Sequence, residues 1–199
     1  PQVLEDKGGW PNLDTARYFS DYAAACFEAF GDRINTWITL NEPWCSAHLG
    51  YVSGEHAPGL KDQKLGFKAA HTLLYAHGLA VQRFRDILPG KRVGITLNLS
   101  SSYPATDSEE DRAAAERGGT YSYGWFIEPL YRGDYPEAMR EGFGADLPEF
   151  TPEQRAAVTS PTDFLGVNYY MRGIFRNDPN AGPLRAGWVD PGDVPRTAM

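Results

Sequence analysis

Basic residues are in short supply in this chain: 19 Lys and Arg stand against 26 Asp and Glu in 199 residues, a formal net charge of -7. That balance leaves no basic patch to neutralise phosphates, which argues against a nucleic-acid partner. Thiols are scarcer still, with only Cys26 and Cys45. Two cysteines do not make a disulfide framework for a chain this long, so a reducing compartment and a cytoplasmic location are expected. No stretch approaches the ~20 apolar residues of a membrane helix, and no membrane partner is expected. Gly8-Gly9 has no strand in front of it, so nothing resembles a phosphate-cradling glycine loop. Of the four histidines, His71 and His77 sit six apart and cannot share a helix face, and His48 and His56 have no companion cysteine. No metal and no cofactor are therefore expected.

What the chain does have is aromatic residues, at 13%. Rings in that number suit a well-packed core, and they also suit a carbohydrate site, where flat rings pack on the apolar faces of sugars. Apolar residues recur at helical spacing from Asp14 to Phe30, with Asp14 as N-cap and Gly31 as the stop. A second helix is predicted over Lys64–Leu88 and a third over Glu109–Phe126, with shorter pieces over Pro136–Glu141 and Pro152–Thr159. Runs of β-branched and aromatic residues predict strands over Thr36–Asn41, Arg92–Leu99 and Asp163–Tyr170. Glu42 to about Leu60 is predicted to be loop, and no element is assigned after Gly173.

Strands alternating with helices imply βαβ units and a parallel sheet. Three strands cannot close a barrel, so the α/β fold expected is a partial (β/α)8 TIM barrel, about three central units of a larger one. The chain opens on Pro1 and ends at Met199 in a turn-like stretch. Residues 1–199 are thus expected to be part of a catalytic domain whose flanking barrel strands lie elsewhere, and an N-terminal leader is left open.

Reactive groups in such barrels gather at the C-terminal ends of the strands. Those ends are Asn41-Glu42, Asn98 and Asn168-Tyr169-Tyr170. Amide, carboxyl and phenol groups in that position suit recognition of hydroxyls. Glu42 is the one strand-end glutamate, stiffened by Pro43 and followed by Trp44. It is either a glutamate paired with an arginine at a loop start or a general acid/base for glycosidic bond cleavage. The second role needs a carboxyl group that begins protonated, and a second carboxylate as well. None of Asp107, Glu109, Glu110, Glu128 or Asp163 occupies a strand end of the right polarity.

The run Trp37-Ile38-Thr39-Leu40-Asn41-Glu42-Pro43-Trp44 resembles the strand-4 motif of glycoside hydrolase family 1, the β-glucosidases and their relatives. Gly8-Gly9-Trp10, Gly50-Tyr51, His56-Ala57-Pro58-Gly59, Ala70-His71, Ala76-His77-Gly78 and the stretch Asp163 to Tyr170 resemble the same family in the same order. The likeness implies strands 4 to 6 of the barrel. It implies Glu42 as acid/base, Asn41 as the partner of the sugar 2-hydroxyl, Tyr170 as the hydrogen-bond partner of the nucleophile and Asn168 as a supporting neighbour. Trp44 and Asn98 match residues on the leaving-group side, and His56 lies in a motif beside the pocket. The family's Thr-Glu-Asn-Gly type nucleophile motif does not occur in the sequence.

The resemblance thus implies a retaining β-glucosidase acting by double displacement on a small-molecule β-glycoside. A 6-phospho-β-glucosidase of the same family and a non-catalytic sugar-binding relative stay open, as does oligomeric state.

Overall fold

The computed structural model describes residues 1–190 and Gly192, so the turn-like ending expected at Met199 lies outside the described residues. The elements in chain order begin with α1 (Gln2–Glu5), α2 (Asp14–Phe30), β1 (Thr36–Asn41) and a π-helical segment (Cys45–Val52). They continue with α3 (Gln63–Ile87), β2 (Arg92–Leu99), β3 (Ser102–Pro104) and α4 (Glu109–Gly119). A π-helical turn over Thr120–Gly124 leads to α5 (Trp125–Arg132), α6 (Glu137–Phe143) and α7 (Pro152–Val158). The last three elements are β4 (Phe164–Tyr169), β5 (Gly173–Asn177) and β6 (Ala186–Trp188).

The central sheet runs β1-β2-β4, all parallel. The chain crosses from β1 to β2 through α3, and from β2 to β4 through the helices α4 to α7. Val93, Ile95 and Leu97 on β2 face the helices and are at most 2% exposed. They pack with Phe84 of α3 below and with Leu73, Leu74 and Trp125 above. The other face carries small or polar residues, Gly94, Thr96 and Asn98, in register with Phe164, Gly166 and Asn168 of β4. A Cβ on Gly166 would lie 2.2 Å from Thr96 Oγ1, so only glycine fits in that layer.

The neighbouring faces are open. Ile38 on the inner face, and Val167 and Tyr169 on β4, are each more than half exposed although they sit in strands. The chain is therefore three adjacent strands of a parallel barrel with the helices that cover them, as expected.

Several details depart from the sequence-based expectation. Helix α2 is capped from outside: Asn12 Oδ1 accepts from the Asp14 amide at 3.0 Å, and Asp14 is the first helical residue. Its stripe is narrower than the periodicity suggests, for Ala23 and Phe27 are buried while Tyr22 and Phe30 lie exposed. The predicted helix over 109–126 is broken into α4, the π-helical turn and α5. Gly118 lets α4 and β5 pack closely, since a Cβ there would sit 2.5 Å from the Phe175 ring.

A second small sheet was not legible in the sequence. Its order is β3-β5-β6, with β3 and β5 parallel and β6 antiparallel to β5. Because β3 starts just after β2 ends, and β5 just after β4, this sheet extends the barrel at the C-terminal ends of its strands.

Candidate active site

Glu42 is placed by a local irregularity. Pairing of β1 with β2 slips between Ile38 and Asn41, and the Glu42 amide then donates to Thr96 O at 2.9 Å. Its backbone is left-handed, with φ 49°, a conformation that costs an L-residue about 1–2 kcal/mol. The Glu42 carbonyl accepts from the Cys45 amide at 2.9 Å, which starts the following helical segment. Strain of this kind is retained where the surroundings fix it, and often where a side chain must be aimed.

The carboxylate is held by three donors. Asn168 Nδ2 reaches Glu42 Oε1 at 2.7 Å, and the Tyr170 hydroxyl reaches the same oxygen at 2.9 Å. Cys45 Sγ donates to Oε2 at 3.4 Å. Asn168 Nδ2 also lies 3.1 Å from Asn41 Oδ1, so one amide ties the ends of β1 and β4 together.

These contacts set the charge of the site. Burial pushes the Glu42 carboxyl up, but the hydrogen bonds from Asn168, Tyr170 and Cys45 together outweigh it and leave it below its ordinary value. The protonated carboxyl expected of a general acid is thus not produced by this chain's residues alone. Asn168, Tyr170 and Cys45 are all donors to it, and donors favour the ionised form. In return, burial together with the Glu42 hydrogen bond and charge pushes the Cys45 thiol up to about 11. The Tyr170 phenol is raised by its bond to Glu42 first, and by burial less.

Beside Glu42 lies a cleft of about 420 Å³. Trp44, Asn98 and Tyr170 line it, as do Cys45, Met171, Arg172 and Trp188. Trp44 is fixed by stacking on His48, ring centroids 4.4 Å apart and planes at 12°, and His48 in turn meets the edge of Tyr121. Burial keeps His48 neutral more readily than a free imidazole.

All six residues singled out from the sequence come together. Glu42, Asn41, Asn168 and Tyr170 form one hydrogen-bonded group, and Trp44 and Asn98 stand on the adjoining wall. The hydroxyl of Tyr170 is given to Glu42, whereas the resemblance implied a nucleophile as its partner. His56 is exposed in the loop, with only its amide bonded, to Leu49 O. Among the described residues, Glu42 is the only carboxylate lining the cleft. Cys45, three residues after Glu42, is placed near the site by the sequence but without a role there, and Met171, Arg172 and Trp188 are not signalled by it.

Three parallel strands covered by helices, with polar groups and a cleft at their C-terminal ends, define part of an enzyme-type (β/α)8 barrel. The particular family follows from comparison: the model for glycosyl hydrolase family 1 matches residues 1–186, and the chain belongs to that family. It is 42% identical over 200 residues to beta-glucosidase A of Thermotoga maritima, covering 100% of this chain and 44% of the relative. It is 40% identical over 186 residues to the human lactase-like protein, covering 85% of this chain and 33% of that protein. The solved family 1 β-glucosidase of Thermotoga maritima superposes with a TM-score of 0.92 at 41% identity, covering 100% of this chain and 44% of that one. A structure of beta-glucosidase from Thermotoga maritima in complex with deoxynojirimycin matches with a TM-score of 0.93 at 40% identity, over 100% and 45% of the two chains. The chain spans less than half the length of these relatives.

Proposed function

We propose that this chain carries the acid/base half of a retaining β-glucosidase site, with Glu42 as the proton donor and later the base. The observation that carries the proposal is the seating of Glu42: a strained strand-end carboxylate, aimed by Asn168 and Tyr170 and open to a cleft on one side. The relatives' names, beta-glucosidases, support a β-glucoside substrate, and we take the leaving group to be a sugar, aryl or alkyl group.

In a retaining mechanism a second carboxylate, ~5 Å from the first, attacks the anomeric carbon while the acid protonates the departing oxygen. Glu42 then takes a proton from the water that hydrolyses the glycosyl-enzyme. That second carboxylate belongs to the part of the barrel outside this chain. Its negative charge would also raise Glu42 and supply the protonated form that the donors here do not favour. Acid function is in this reading a property of the pair.

The test is made on the complete protein that contains this chain. Glu42→Ala should slow glucosides with poor leaving groups far more than activated aryl glucosides, and azide should restore part of the rate by attacking the glycosyl-enzyme. An equal loss for all leaving groups, with no response to azide, would overturn the acid/base role. The 199-residue chain alone should show no turnover.

A further inference from the structure

Arg172 and Trp188 both line the Glu42 cleft. Arg172 follows β4 and lines the cleft, is exposed, and forms no ion pair or hydrogen bond among the described residues. Trp188 ends β6, lines the cleft and is 56% exposed in this chain. The strand beneath it is firm: Trp188 is in register with the buried Phe175, and the Val189 amide donates to Ile174 O at 2.8 Å. Met171 and Phe175 continue the apolar wall from Trp188 toward Tyr170.

Charge narrows the ligand. Glu42 is the one acidic group among the described residues of the cleft, and in the proposed reading Glu42 and its partner carboxylate share one proton and keep one negative charge beside it. A negatively charged group entering beside it would be repelled, in a chain that already carries a net -7. An unpaired guanidinium in the same cleft offsets that repulsion and offers a planar fork of donors suited to a carboxylate. An adjacent indole and thioether suit a flat aromatic ring.

We infer that the leaving-group side of this site is built for an anionic aromatic group, with Trp188 and Met171 taking the ring and Arg172 taking a carboxylate on it. The inference rests on the proposed glucosidase reading, since it assigns the cleft beyond Glu42 to the leaving group. A neutral second sugar is the competing occupant. It would draw on Asn98, Ser100 and Ser122 in the same cleft and would leave the guanidinium without a counter-charge.

Two measurements on the complete protein separate this inference from the reading beneath it. The first compares kcat/KM for 4-carboxyphenyl and 4-carbamoylphenyl β-D-glucosides, similar in shape and different in charge. Arg172→Gln should lower the ratio of the two roughly fivefold, mainly through KM, and raised salt should shrink the effect. Trp188→Ala should lower both aryl substrates roughly fivefold relative to methyl β-D-glucoside. The second needs no turnover: 4-hydroxybenzoate should bind more tightly than 4-hydroxybenzamide, and Arg172→Gln should erase the difference. Turnover of both aryl substrates with an unchanged ratio in Arg172→Gln, or a preference for cellobiose that depends on Trp188 alone, would overturn the inference. No turnover with the binding preference intact would overturn the glucosidase reading and leave the anion site standing.

Discussion

Tyr170 donates its hydroxyl to Glu42 Oε1 across 2.9 Å, sharing that oxygen with Asn168. Tyr170 is the first residue past β4 and is 61% exposed in this chain. Removing its hydroxyl takes away one of the three donors that lower the carboxyl. Tyr170→Phe should therefore raise the Glu42 pKa, as followed by carbon NMR titration of the chain with labelled glutamate. A value that stays put or falls would show that Tyr170 does not help set the charge of the site.

Cys45 reports on the same carboxylate from the other side. Its thiol, raised to about 11 by burial and by Glu42, is almost wholly protonated at neutral pH and should alkylate slowly. Glu42→Gln removes the negative charge and weakens the acceptor, so it should speed iodoacetamide labelling of Cys45 several-fold. The measurement is mass spectrometry of a time course at pH 8, in a Cys26→Ala background so that only one thiol reacts. Equal rates with and without the charge would argue that burial alone protects the sulfur.

Much of this arrangement was legible in the sequence, for physical reasons that differ by element. The three parallel strands announce themselves because β-branched runs such as Arg92–Leu99 are buried among helices. Their polar C-terminal residues stand out against those runs, which is how Asn41, Glu42, Asn98 and Asn168 were found. The small sheet was invisible because its strands are three to five residues long and one contains Pro104. Trp188 was missed with it, since β6 is what brings it to the cleft, whereas Arg172 reaches the cleft from the segment just past β4. The ionised state of Glu42 could not be read either. It depends on two donors 126 and 128 residues away in the chain.

The left-handed backbone of Glu42 inverts a usual order of stability. In most positions glycine is less stable than alanine by about 0.5–1 kcal/mol, because it loses more freedom on folding. At φ 49° the alanine side chain carries the steric cost that glycine avoids. Glu42→Gly should therefore be more stable than Glu42→Ala by roughly 1 kcal/mol, read as a shift of the urea midpoint at unchanged slope. The usual order, alanine above glycine, would mean that the bulge at the end of β1 relaxes once the carboxylate is gone.

His77 gives the chain an acid-sensitive core. It is fully buried against α3's neighbours, its Nδ1 lies 2.7 Å from Thr39 Oγ1, and Thr39 Oγ1 lies 3.3 Å from Gly94 O. Nε2 has no partner. The arrangement that wastes least keeps the proton on Nδ1, donating to Thr39, which donates on to Gly94 O and leaves Nε2 as a bare acceptor. A second proton on Nε2 would be buried unpaired, and burial depresses the imidazole from 6.5 to about 4. The sign follows from linkage: between those values the unfolded chain binds the extra proton and the folded chain does not. Stability from the neutral His77 is fully present above pH 6.5 and is lost as the pH falls from there toward 4. The depression corresponds to about 3 kcal/mol at most. His48 and His71 are lowered by burial too and act in the same direction. The lowered carboxylate of Asp163, bonded to the Val93 amide, acts only below its ordinary 3.8 and so outside this window. His77→Asn, whose amide can stand near the Nδ1 position, should lower stability at pH 7.5 yet flatten its decline between pH 6.5 and 4.5. Urea unfolding at four or five pH values measures this, and a decline as steep in the variant as in the parent would assign the acid sensitivity to other groups.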